Sequence, residues 1–256
     1  MEVAGRGRIL FWEGVSLWIM EAVPSRGTAY NTTDHHAHHA IQITLSLGGR
    51  FELRSGEHTL ACDGMVAPDA VHIFEAVGLG ALLFIDPESQ AGRAIAGSAF
   101  GIMPLVPIQR EMIADLVEQL RTVYVETAAD EEALEHIGRQ LVARLAGVSS
   151  AEPPDPRVQK IIDFVTARLD GPITLAAASR SAGLSPSRAR HLFVEQTGLP
   201  FRTYLLWRRI MKAVGVFAGG GSLTDAAHEA GFADSAHFSR TFRRMFGLPA
   251  ASLRII

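Results

Sequence analysis

The chain has 256 residues, of which 48% are apolar, and a formal net charge of -3 from 24 basic and 27 acidic side chains. This length fits one to three domains of roughly 150 residues, and the composition excludes a disordered or fibrous protein. A single cysteine, Cys62, excludes an intramolecular disulfide, and no apolar run reaches the roughly 20 residues of a bilayer span, so a cytoplasmic, non-exported protein is predicted.

Short apolar or alternating runs dominate the chain from about Leu17 to Asp86. They include 41–47, 50–53 and 81–85, and glycine-containing turns such as the one at Gly48 separate them. Many short strands at this spacing predict a small barrel or sandwich, which we assign to residues 1–106.

From residue 107 onwards the apolar residues recur at steps of three and four. Two amphipathic helices are therefore predicted within 107–148, with a break at 126–130. Their apolar stripes either pack on the predicted barrel or form the seam of a homodimer. We expect a homodimer because symmetric pairing is common among soluble proteins.

Proline and charge divide the chain near residue 150. The segment 149–156 has three prolines in four positions, which predicts a linker that cannot continue a helix. Before Arg157 there are 10 basic and 21 acidic side chains, giving -11, and from there to Ile256 there are 14 and 6, giving +8, for a total of -3. The basic end indicates a module that binds a polyanion.

The segment 157–256 is predicted to be helical throughout, and one plan occurs in it twice. Residues 175–185 and 223–233 each contain a short helix, an Ala-Gly-apolar turn and the start of a longer helix, offset by 48 residues. This is the layout of a helix-turn-helix motif, and a long helix over 202–217 is predicted to link the two copies. The predicted N-caps are Thr174, Ser185, Ser222 and Asp234.

The run GFADSAHFSRTFRRMFG at 231–247 resembles the signature stretch of the AraC/XylS family of bacterial transcription regulators. Residues 184–187, 192–193 and 197–198 are similar to the first helix-turn-helix of that family, so the resemblance covers about the last hundred residues. It implies a sequence-specific regulator that binds double-stranded promoter DNA and responds to a small-molecule or metal effector in its N-terminal domain. Contact with RNA polymerase is left open by the resemblance.

The predicted recognition helices carry arginines on their outer surfaces. An arginine in the major groove can contact guanine through two hydrogen bonds, and two helices on one body can enter successive groove segments about 34 Å apart. We expect Arg240 to read a base, and Arg243 and Arg244 to contact phosphates. The apolar stripe of the second helix is predicted at Phe238, Phe242 and Phe246. The predicted DNA-contacting residues are Ser187, Arg188, Arg190, His191, Ser235, Ala236, His237, Ser239, Arg240, Arg243 and Arg244.

The N-terminal part has a histidine-rich stretch at 35–39. His36 and His38, followed by Gln42, resemble the first motif of the cupin superfamily, and the stretch that ends at His72 resembles a shortened second motif. The resemblance implies a metal site made of His36, His38, Gln42 and His72, chemically suited to Zn, Fe or Ni. The open alternative is a polar barrel mouth whose histidines bind a small ligand or water.

The predicted fold class is α+β multidomain, with an N-terminal cupin-like β-barrel, a helical pair and a C-terminal all-α double helix-turn-helix domain. The sequence has no P-loop, no nucleophile elbow and no activation signal beside Cys62, so an enzyme is not expected. The alternative kept open is a cupin-type metal-dependent enzyme fused to a helical tail that is similar to a DNA-binding domain.

Overall fold

The computed structural model describes residues 3–126, 130–147 and 153–256. Its internal contacts divide the chain into two compact units. The sheet unit comprises Met1–Ala151 together with Phe242–Ile256, and the helical unit comprises Glu152–Thr241. The C-terminal segment Phe242–Ile256, which the sequence analysis groups with the helices, thus packs with the sheet. The predicted linker at 149–156 lies partly outside the described residues.

The sheet unit contains ten strands among its described residues. The hydrogen-bonded order is β10-β1-β2-β8-β4-β7-β9, while β3 and β5 pair with β8, and β6 pairs with β5. The strands are β1 (Gly5–Trp12), β2 (Val15–Ala22), β3 (Asn31–Thr32), β4 (Ile41–Ser46), β5 (Arg50–Ser55), β6 (His58–Leu60), β7 (Gly64–Val66), β8 (Ile73–Ile85), β9 (Leu105–Pro107) and β10 (Leu253–Ile255).

The long strand β8 belongs to two layers. Its second half pairs with β2 and β4, and its first half pairs with β3 and β5. The change occurs at Gly78, whose φ of 79° is readily adopted only by glycine. Along the described strands the hydrogen-bonded path from β10 to β9 stays open. The sheet-rich N-terminal prediction is confirmed, but closure into a barrel is not, because no pairing among the described strands joins β9 to β10.

Three helices complete the sheet unit: α1 (Gln90–Ala99), α2 (Ala114–Glu126) and α3 (Glu131–Ala146). The predicted helical pair within 107–148 is confirmed as α2 and α3, whereas α1 is not predicted. Leu120 of α2 and Leu141 of α3 are fully buried in one core with Leu17 and Leu83 of the sheet. The two stripes therefore pack on the sheet, and the homodimer stays a prediction.

The helical unit contains α4 (Pro156–Thr166), α5 (Leu175–Ser181), α6 (Pro186–Thr197), α7 (Phe201–Ala218), α8 (Leu223–Glu229) and most of α9 (Ser235–Phe246), whose last five residues belong to the sheet unit. Both predicted helix-turn-helix motifs are confirmed, as α5–α6 and α8–α9. Gly183 and Gly231 turn between their helices with φ of 67° and 73°.

The four predicted N-caps each accept a hydrogen bond from a backbone N–H of the first helical turn, which satisfies a donor that has no partner within the helix. Ser222 and Asp225 form a reciprocal capping box. The core of α4 to α7 includes the fully buried Phe193 and Tyr204, whose rings lie 5.2 Å apart. None of the described helices has the length and apolarity to span a lipid bilayer.

Candidate metal centre and candidate nucleic-acid interface

Three of the predicted metal ligands come together inside the sheet unit. His36 and His72 form an isolated antiparallel bridge with backbone hydrogen bonds of 3.0 and 2.9 Å, which places their rings 4.1 Å apart. The ring of His38 lies 5.1 Å from that of His72. One ring nitrogen from each histidine lies within 4.8 Å of the other two, and all three residues are buried.

Hydrogen bonds to carbonyl oxygens set the tautomers, because such an oxygen can only accept. His36 Nδ1 donates to the Asp34 carbonyl and His72 Nδ1 donates to the Ala70 carbonyl, both at 2.9 Å. Each ring then carries its lone pair on Nε2. Among the described residues His72 Nε2 is buried and has no hydrogen-bond partner, which is costly for a polar atom unless something binds it.

Burial also keeps these imidazoles neutral. It lowers the pKa of His36 and lowers the pKa of His72 to about 3, with the nearby His36 adding to the second shift. Burial, followed by the proximity of His72 and His36, puts the pKa of His38 well below its ordinary value. Neutral imidazole is the form that binds metal ions.

Gln42 lies beside the cluster but its amide is already engaged. Its Oε1 accepts a hydrogen bond from His38 Nε2 at 3.0 Å, and its Nε2 donates to Thr44 Oγ1 at 3.0 Å. Such a partner fixes the orientation of a metal-binding histidine from outside the coordination sphere. This geometry favours an orienting role for Gln42 over direct ligation.

The chemistry and spacing of the cluster fit a divalent ion. A tetrahedral zinc ion held at about 2.0–2.1 Å by three nitrogens would bring them to about 3.4 Å from one another. The three nitrogens, which lie within 4.8 Å of one another, would move closer together on binding such an ion. The neighbouring His39 is not part of this cluster, because both of its ring nitrogens are hydrogen-bonded to carboxylates, to Asp69 at 2.8 Å and to Glu88 at 2.6 Å.

The C-terminal segment covers the histidine cluster. The Phe246 ring lies 5.2 Å from Trp18 and 6.0 Å from His38, and a Cβ added to Gly247 would stand 2.6 Å from His36 Nδ1. A cavity of about 80 Å³ remains beneath the segment. Its lining is mostly apolar and includes Trp18, His36, Gln42, Phe84, Phe242 and Phe246.

The sequence does not predict that the C-terminal segment packs over the histidine cluster. One sequence signal does indicate the turn within this segment. The tripeptide Gly-Leu-Pro follows both long helices of the repeated motif, at 198–200 and 247–249, and indicates a helix-ending turn. Nothing in the repeat reveals that the second turn packs against a histidine site.

The second site consists of the outer surfaces of the two helix-turn-helix motifs. On α6, the side chains of Ser187, Arg188, Arg190 and His191 are exposed, as are those of Ala236, Arg240, Arg243 and Arg244 on α9. Ser235, His237 and Ser239 are partly exposed. The predicted stripe of Phe238, Phe242 and Phe246 is buried, which confirms that these rings are core residues.

A groove of about 890 Å³ runs between the two motifs within the helical unit. Arg190 of α6 and His237 of α9 stand on its sides, and α7 contributes Arg202 and Leu205. Arg209 also lines the groove, but it donates to the Leu169 and Gly171 carbonyls at 3.2 and 2.7 Å and so has a structural role. The groove combines cationic rims with an apolar wall.

These features define the class of the molecule: a sheet unit with a buried candidate ligand site, joined to a helical unit with tandem helix-turn-helix motifs. Residues 178–254 match the family model described as "Helix-turn-helix domain". The chain is 30% identical over 118 residues to "Transcriptional activator RhrA" of Rhizobium meliloti (strain 1021), covering 44% of this chain and 37% of that protein. It is 27% identical over 126 residues to "Arabinose operon regulatory protein" of Escherichia coli (strain K12), covering 48% and 43%. These matches span less than half the length of either relative.

A solved structure extends the likeness to both units. An apo ToxT structure from Vibrio cholerae has a TM-score of 0.58 and 12% sequence identity, covering 93% of this chain and 96% of that one. At this identity the likeness concerns the fold alone. The chain therefore carries a C-terminal helix-turn-helix domain, preceded by a sheet-rich region, and its fold is similar to that of ToxT.

Proposed function

We propose that the protein is a sequence-specific DNA-binding transcription regulator of the AraC/XylS type, whose sheet unit binds an effector. The observation that carries the proposal is the pair of capped recognition helices, α6 and α9, each with arginines on its exposed face. Arg190, Arg240 and Arg244 form no ion pair with any other described residue, so their guanidinium groups are available to bases and phosphates.

The proposal assigns binding, not catalysis, to both units. The curated relatives are named as transcriptional regulators, and the cupin-type enzyme alternative has no support among them. Binding to promoter DNA would place the protein in the bacterial cytoplasm. The homodimer and a contact with RNA polymerase stay predictions, and sedimentation of the full chain tests the first of them.

Selection of bound duplexes from a random DNA library tests the function directly. Full-length protein at fixed, near-physiological salt should enrich a motif with two blocks about one helical turn apart. Arg240→Ala should reduce the preference for that motif over scrambled DNA, whereas Lys160→Ala, which removes the same charge from the exposed side of α4, should preserve the preference. Absence of any enriched motif would contradict the proposal.

For the effector we propose a divalent metal, Zn, Fe or Ni, held by His36, His38 and His72 with Gln42 orienting His38. The support is the set of three neutral, converging imidazoles and the buried Nε2 of His72. When bound, the ion would supply a positive charge that ties the three histidines together. The chain's own contribution is to fix the ring tautomers and exclude water.

Metal content measured by elemental analysis after exposure to zinc tests the assignment. Wild-type protein should retain about one zinc per chain, as one three-histidine site requires. His72→Ala should lose it, and His58→Ala, which changes an exposed histidine of the same unit, should retain it. Equal zinc content in the wild type and His72→Ala would refute the site.

A small apolar molecule is the second candidate effector, because apolar side chains line most of the cavity beside the cluster. A ToxT structure from Vibrio cholerae, with a TM-score of 0.55, was solved with an unsaturated fatty acid bound. The cavity here, at about 80 Å³, is smaller than typical ligand pockets of roughly 300–1,000 Å³. A larger ligand would therefore have to displace part of the C-terminal segment. Calorimetric titration with a fatty acid distinguishes this candidate from zinc.

A further inference from the structure

Arg243, which the sequence analysis assigns to DNA phosphates, is bound to an acidic side chain inside the sheet unit. Its Nε and Nη2 atoms both donate to Asp34 Oδ2, each at 2.8 Å. The two side chains are 60% and 58% exposed, so the pair lies at the surface, where a competing anion can reach it. The neighbouring Arg244 is equally part of the last turn of α9 and forms no ion pair with a described residue.

The backbone of Asp34 fixes this contact from two sides. Its N–H donates to the Gly247 carbonyl at 2.7 Å, which ties it to the C-terminal segment. Its carbonyl accepts from His36 Nδ1 at 2.9 Å, which ties it to the histidine cluster. Asp34 is therefore hydrogen-bonded to the candidate effector site, to the turn that ends α9 and to an arginine of α9.

The guanidinium of Arg243 cannot bind Asp34 and a DNA phosphate through the same N–H groups at the same time. An arginine recognises a carboxylate and a phosphate through the same N–H groups, so the two anions compete for it. An exposed ion pair is weak, which means that DNA can break it at a modest loss of affinity. A contact of this strength adjusts DNA binding without preventing it.

We propose that the Asp34–Arg243 ion pair is an autoinhibitory contact, which holds Arg243 away from the phosphates of duplex DNA. The inference rests on the proposed function, since it names a regulation of the same DNA-binding surface. Because the Asp34 carbonyl also accepts a hydrogen bond from His36, the ion pair lies next to the site to which we assign the effector.

The experiment measures the affinity of full-length protein for the selected duplex at fixed salt. Asp34→Asn should bind the duplex about twofold to fivefold more tightly than wild type, the range expected from losing an exposed ion pair. Arg243→Ala should bind more weakly than wild type. Adding Asp34→Asn should bring no gain in an Arg243→Ala background, but the full gain in an Arg244→Ala background. Glu57→Gln, which removes the same charge from an exposed turn of the sheet unit, controls for the general effect of negative charge.

The outcomes separate this inference from the function on which it rests. If no variant binds any duplex, the proposed function fails and the inference fails with it. If the wild type binds but Asp34→Asn gains no more than Glu57→Gln, the function stands and the autoinhibitory contact is overturned. A gain from Asp34→Asn that persists in the Arg243→Ala background overturns it equally, because the effect then does not pass through Arg243.

Discussion

Substitution of Gly247 by alanine tests how closely the C-terminal segment packs on the sheet. Gly247 ends α9 with a φ of 70°, and its N–H donates to the Arg243 carbonyl at 2.8 Å. A side chain in this left-handed conformation costs about 1–2 kcal/mol. The added Cβ would also stand 2.6 Å from both the Asp34 carbonyl oxygen and His36 Nδ1, and 2.7 Å from Thr33 Cβ.

Two effects add up in the expected loss of unfolding free energy: the left-handed backbone conformation and the short contacts of the added Cβ. Crowding of this kind in a packed interior costs about 1–3 kcal/mol, so Gly247→Ala should lower the free energy of unfolding by about 2–5 kcal/mol in total. Gly198 provides the matched control, because it ends α6 in the same Gly-Leu-Pro sequence with a φ of 74° and has no described atom near its missing Cβ. Gly198→Ala should lose only the backbone part, about 1–2 kcal/mol.

Urea denaturation gives the total loss for each variant, and hydrogen exchange of the backbone amides assigns that loss to the sheet unit or the helical unit. Gly247→Ala should loosen β10 and the turn around Asp34, whereas Gly198→Ala should affect the end of α6. Equal losses of unfolding free energy in the two variants would refute the close contact between Gly247 and the histidine cluster.

Three further predictions concern pH, capping and metal binding. Burial opposes protonation of His39, but hydrogen bonds with Asp69 and Glu88 outweigh it and raise the pKa to about 9. The folded-state pKa exceeds the unfolded value of about 6.5, so this stabilisation, at most about 3 kcal/mol, should be complete below pH 6.5 and disappear as pH rises through 9. Urea denaturation should show the wild type losing its advantage over His39→Gln across that range, and a constant difference would count against the ion pairs. Ser222→Ala should destabilise α8 by about 0.5–2 kcal/mol through loss of its cap, and unchanged amide exchange in α8 would contradict this. Because burial lowers the pKa of His72 to about 3, zinc affinity measured against a competing chelator should change little from about pH 7.5 to about pH 5.5, and a steep loss near the ordinary histidine pKa would argue against buried ligands.

Local signals explain why the helix-turn-helix region could be predicted well. Capping side chains such as Ser185 and Asp234, together with the turn glycines Gly183 and Gly231, act within a few residues of where they stand. Helix α1 has a capping side chain as well, because Ser89 accepts a hydrogen bond from the Gly92 N–H, but it was not predicted because Ile95 is the one large apolar residue among its ten.

The candidate metal site was predictable only in part, because some of its contacts join residues that are far apart in the sequence. His36 and His38 are neighbours in the sequence, and a family resemblance pointed to His72. The contacts of Asp34 with Arg243 and Gly247 join residues more than two hundred positions apart, and no periodicity reports such a distance. The division of the sheet into two layers likewise depends on pairings of β8 with four other strands, which single-strand patterns do not specify.

Strand β10 protects one edge of the sheet. It pairs in parallel with β1 through Gly5 to Leu253 and Gly7 to Ile255, and so covers a strand that would otherwise end the sheet. An uncovered sheet edge is a template on which further chains can add, and it promotes aggregation. A fragment cut after the first 151 residues would expose that edge together with the apolar surface under Phe246. Preparations of the sheet unit should therefore keep residues 242–256, by fusion or by co-expression, if they are to stay monodisperse.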